Sequence, residues 1–70
     1  MQAVIKRTPV NNLQNIIEYL TEDGEWSENR QDAAIFDGDL EIYGAIAIVS
    51  NANTIDNTHI YFIDYITHLN

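Results

Sequence analysis

"AAIFDGDLEIYGAIAIVS", residues 33–50, is the stretch on which the fold turns. Two apolar runs flank Asp37-Gly38, and Asp-Gly between apolar runs is a strong hairpin signal, because both residues tolerate positive φ. With the two-residue period of a strand, Leu40, Ile42, Ile46 and Ile48 share one face. Asp39, Glu41, Tyr43, Ala45 and Ala47 share the other, and Gly44 marks a bulge or kink. Two strands joined at Asp37-Gly38 are expected here.

Working outward, the expected helix lies upstream, in "TPVNNLQNIIEYLTEDG", residues 8–24. Val10, Leu13, Ile16, Ile17 and Leu20 recur at helical spacing and form one apolar stripe. Two starts fit: Thr8 as cap with Pro9 at the first helical position, or Asn11 as cap with Gln14 three residues on. Gly24 suits the left-handed residue that ends a helix, so the helix is expected over residues 10–22. "QAVIKRT", residues 2–8, reads as a first strand, "EWSENRQD" as a polar loop and "NANTIDNT" as a turn.

The final run, "HIYFIDYITHL", residues 59–69, is rich in β-branched and aromatic residues and reads as a last strand. Phe62, Tyr65, Ile66 and Leu69 also fit a helical stripe with a cap within residues 56–58; residue type favours the strand. As a strand it is apolar on both sides: Ile60, Phe62 and Ile66 face one way, Tyr61, Ile63, Tyr65 and Leu69 the other. Both sides then need cover, and a second subunit is the natural cover for the side the helix does not reach. The expected fold is α+β, one domain over residues 1–70. One amphipathic helix packs on a small antiparallel sheet in the order β-α-β-β-β.

Seventy residues leave room for one core. A chain this short buries only about 60% of its unfolded surface, and small folds often add disulfides, a metal or a partner. With no cysteine, disulfides and thiolate zinc sites are excluded. No stretch approaches the apolar length of a membrane span, and the first residues lack the apolar run of a signal peptide. A soluble, cytoplasmic protein is expected, and a hydrophobic share of 46% is too high for a disordered chain.

The net charge of −8 is segregated. From Glu18 to Glu41 nine acids face one base, Arg30, which gives −8; elsewhere Lys6 and Arg7 balance Asp56 and Asp64. Neighbours within a screening length of about 8 Å act collectively on an approaching molecule. Such a segment repels nucleic acid and anionic membranes and attracts a basic protein surface or a cation. Asp37, Asp39 and Glu41 at alternate strand positions would stand in a row about 6.6 Å apart. That spacing is of the order of the phosphate advance along a DNA strand, about 3.4 Å per nucleotide.

The candidate partner-binding residues are therefore Glu18, Glu22, Asp23, Glu25, Glu28, Asp32, Asp37, Asp39 and Glu41, with Trp26 and Tyr43 as apolar anchors. Tyr61, Ile63 and Tyr65 are a candidate dimer interface. The bland alternative is an acidic face that only keeps a small protein soluble.

Other chemistries find little support. "DGDLE" does not match a calcium loop. His59 and His68 would lie on opposite faces of a strand, roughly 30 Å apart, with Asp64 between them. No nucleophile sits in a recognisable turn and no glycine loop cradles phosphate, so neither an enzyme, a cofactor nor a metal site is expected. In size and composition alone, the chain resembles the small acidic inhibitors of phages and mobile elements, such as anti-CRISPR proteins, DNA mimics and antitoxins. No residue carries over from that likeness. The segregated acidic segment leads to the first expectation, an inhibitory or decoy protein docked on a basic, nucleic-acid-binding protein surface. The competing expectation is a structural or assembly subunit that works through its last strand.

Overall fold

Ala3, Val4 and Ile5 are three consecutive, fully buried residues. Successive strand residues point to opposite faces, so a buried run of three belongs to a strand covered on both sides. The computed structural model, which describes residues 1–11 and 14–66, makes that strand the centre of the molecule. β1 (Gln2–Pro9) carries β5 (His59–Ile66) along one edge, antiparallel, from Gln2↔Ile66 to Pro9↔His59. Its other edge is divided. β4 (Phe36–Asp37) pairs with Gln2 and Ala3, and β2 (Glu18–Leu20) pairs with Lys6 and Arg7. β3 (Trp26–Ser27) extends the sheet beyond β2.

The one α-helix among the described residues, α1 (Asp39–Ile55), packs on β5, β4 and β1. The expected class therefore holds: α+β, one helix on a curled antiparallel sheet. The helix stands elsewhere in the chain, and the elements run β1-β2-β3-β4-α1-β5.

At the described residues of 10–22, strand, turn and extended chain replace the expected helix; residues 12 and 13, among them Leu13 of its stripe, lie outside the described residues. The Val10 N–H donates to the Thr58 carbonyl at 3.0 Å, which prolongs the β1–β5 ladder past Pro9. Thr8 does not cap a helix, for its hydroxyl donates to the Ile16 carbonyl at 2.9 Å. Asn15 has φ 53, a left-handed value that interrupts a right-handed helix and that asparagine tolerates well.

The expected hairpin at Asp37-Gly38 is instead a helix start. Gly38, φ 85 and ψ 165, is the N-cap, and the Ile42 N–H donates to its carbonyl at 2.9 Å. Asp39 and Glu41 fall in the first turn, where the helix dipole favours carboxylates. Glu41 reaches back to accept the Asp37 N–H at 3.0 Å, so an otherwise orphan donor is satisfied. Ile42, Ala45, Val49 and Ala52, at helical spacing, form the inward stripe.

Near its end α1 is tied to β5 by Asn53, whose amide accepts the Tyr61 N–H and donates to the Tyr61 carbonyl, both at 2.8 Å. The Val10–Thr58 bond sets the ladder so that the Tyr61 peptide groups point away from β1. Asn53 thus covers an outer strand edge that would otherwise stay open. β5 keeps the expected strand character over residues 59–66; His68 and Leu69 lie outside the described residues. No described helix is long and apolar enough to cross a membrane.

Candidate functional site

β2 and β3 are joined through Glu22, Asp23 and Gly24. The Gly24 N–H donates to the Thr21 carbonyl at 3.1 Å and the Thr21 N–H to the Glu25 carbonyl at 2.9 Å. Gly24, φ 80, supplies the left-handed residue that a three-residue hairpin loop needs. Glu22 and Asp23 therefore sit on the tip of a turn, with Glu25 just beyond it.

The chain then folds back. Asn29 caps the 3-10 turn Arg30–Asp32 by accepting the Gln31 N–H at 3.0 Å. The Ser27 hydroxyl donates to Asp32 at 2.8 Å, and the Ala34 N–H donates to the Leu20 carbonyl at 2.8 Å. This return closes a hollow of about 540 Å³, lined by Glu22, Asp23, Glu25, Trp26 and Asp32 among others.

Trp26 stands between the hollow and the sheet. The Arg7 guanidinium lies 4.3 Å from its ring centroid, and Tyr61 meets it edge-on at 5.6 Å. Arg7 itself donates to Glu18 at 2.7 Å. Burial works against the charge on Arg7, but Glu18 and Tyr61 together outweigh it and raise its pKa. Held on one side by a cation and an aromatic edge, the indole gives the hollow a rigid apolar wall.

The cations are placed unevenly. Lys6 pairs with Asp64 at 2.8 Å and lies over the rings of Tyr19 and Phe62. Arg7 is taken by Glu18. Eleven acids less these two leave nine, against one remaining base, Arg30. Among the described residues none of the four hollow carboxylates forms an ion pair.

The structure gathers part of the expected site and disperses the rest. Glu22, Asp23, Glu25, Trp26 and Asp32 come together. Glu18 is half-buried and spent on Arg7. Glu28 is exposed but does not line the hollow. Asp37, Asp39 and Glu41 form no strand row, because only Asp37 is in a strand and the other two begin α1. The carboxylate ladder with phosphate-like spacing is thereby removed. Tyr43 projects from the outer side of α1, 67% exposed. Of the candidate dimer trio, Tyr61 is buried, Ile63 half-buried and Tyr65 exposed, so it offers one open side chain where three were expected.

A polar cluster centred on Asp56 was not evident from residue order. The Thr58 hydroxyl and N–H donate to one Asp56 oxygen, at 2.5 Å and 2.8 Å, and the Tyr61 hydroxyl donates to the other. These bonds, those of Thr58 first, hold the Asp56 carboxyl well below the usual range. His59 sits beside it, its Nδ1 3.5 Å from Asp56. "DNTHIY" carries a local signal for this, since Asp two residues before a threonine N–H is a common side-chain turn. No protein-family model, curated protein or solved structure matches the chain.

Proposed function

We propose that this chain is a small, non-catalytic, acidic binding protein of inhibitory type. It seats the hollow beside Trp26 on a cationic, nucleic-acid-binding surface of a partner protein in the cytoplasm. The observation that carries this reading is the hollow itself: four carboxylates without cationic partners, set around a tryptophan that Arg7 and Tyr61 hold in place. Unpaired carboxylates accelerate encounter with a basic surface and select against acidic ones. The fixed indole supplies apolar area at low entropic cost, as interface anchors do. The recognition is of concentrated negative charge on a concave surface, and it does not require the regular spacing of a nucleic-acid strand.

Trp26 is the only tryptophan, so its emission reports on the hollow directly. Titration with a nona-arginine peptide is expected to shift that emission, with an affinity that falls as salt rises. Glu22→Gln/Glu25→Gln should weaken binding about tenfold, equivalent to ~1.4 kcal/mol. Asp39→Asn/Glu41→Gln, which removes the same charge at the helix start, should change it far less. Equal losses in the two double variants, or an affinity indifferent to salt, would reject the proposal.

A further inference from the structure

α1 has a second side. Opposite the inward stripe it exposes Leu40 at 87%, Tyr43 at 67% and Ile55 at 74%, with Ile48 also open. At 3.6 residues per turn, Leu40, Gly44, Ala47 and Asn51 fall along one line of the helix. Large apolar side chains stand at both ends of that line and small ones between them.

Gly44 is the informative residue. Its φ is not positive, and a Cβ built there meets nothing within 4 Å. Neither backbone conformation nor internal packing of this chain requires glycine at a mid-helix position where alanine is better. The missing side chain leaves a shallow saddle on the outside of the helix, suited to close approach by another rod-like element.

Charge decides what fits there. No lysine or arginine follows Arg30. Asp37, Asp39 and Glu41 stand at the Leu40 end of the exposed line. A second copy would bring −8 against −8, whereas a cationic helix is attracted at the acidic start of α1. We infer that the outer face of α1 docks an amphipathic helix of a partner protein. That helix crosses at Gly44 and Ala47, packs its apolar face between Leu40 and Ile55, and carries lysine or arginine toward Asp37, Asp39 and Glu41. This face is separate from the Trp26 hollow, because α1 packs on β5, β4 and β1 while the hollow borders β2 and β3. The inference does not rest on the function proposed above.

The test uses a synthetic amidated peptide that forms a helix with leucine and alanine on one face and lysine on the other. A scrambled peptide of identical composition, which does not form that face, is the control. Titration calorimetry should show the patterned peptide binding about tenfold more tightly than the scramble, with a gain of helical circular dichroism. Leu40→Gln and, independently, Gly44→Leu should abolish that preference, while thermal melts show both variants folded. Equal affinity for the two peptides, or a preference untouched by both substitutions, overturns the inference. So does a protein that sediments as a dimer lost on Leu40→Gln, since a second copy is then the occupant.

Discussion

Asp56 shows how much of this small molecule rests on single side chains. Its carboxylate gathers the Thr58 hydroxyl and N–H and the Tyr61 hydroxyl, where α1 hands over to β5. Its folded pKa lies below its unfolded value of about 3.9, so it stabilises the fold fully above that pH and progressively less as pH falls through the folded value. Asp56→Asn should therefore melt at a lower temperature than the parent at neutral pH, with the gap closing below about pH 4. A gap of constant size down to the lowest pH that leaves both proteins folded would contradict this assignment. Tyr61 behaves in the opposite sense. Burial first, then the bond to Asp56, raises its pKa, so its contribution persists up to about pH 10 and fades beyond. The Tyr61–Asp56 bond thus contributes to both arms of the pH profile, beside Thr58 on the acid side and burial on the alkaline side.

At the scale of elements, two Asp-Gly pairs exchange the roles that residue order suggests for them. Asp23-Gly24 closes a hairpin where a helix end was expected, and Asp37-Gly38 opens a helix where a hairpin turn was expected. The distinction was available in the charges. Glu18, Glu22 and Asp23 precede Gly24, the wrong sign for a helix C-terminus, whereas Asp39 and Glu41 follow Gly38, the right sign for a start. The β-branched content of Ile42, Ile46, Ile48 and Val49 hid this, because it favours strands and imitates alternation. The segment expected as a polar loop around Trp26 holds β3 and a 3-10 turn, whereas the class and the first and last strands were legible from composition and local signals. The helix position was not, since Ile42, Ala45, Val49 and Ala52 are a narrow stripe within a segment apolar almost all round. Two glycines in this region should respond with opposite signs. Gly38→Ala forces alanine into backbone space that is nearly glycine-only and should cost about 1–3 kcal/mol. Gly44→Ala meets open space on the helix and should stabilise by about 0.5–1 kcal/mol. Thermal melts in which both lower the midpoint, or both raise it, would contradict the placement of α1.

At the scale of the molecule, β1 organises everything: β5 along one edge, β2 and β4 sharing the other, and both strand cations neutralised by Asp64 and Glu18. What remains is a surplus of acids with Arg30 as the one base left. Four of them surround Trp26, while Asp37, Asp39 and Glu41 serve the start of α1. The expected single acidic stretch therefore divides into a part at the start of α1, which local structure explains, and a part around Trp26, which it does not. Amide chemical-shift mapping of the whole protein against nona-arginine separates the two. Perturbations concentrated between residues 21 and 33, with the Trp26 indole N–H among the largest, are the predicted result. Shifts of equal size at Asp37, Asp39 and Glu41, spread over every exposed acid, would contradict a binding surface at the hollow.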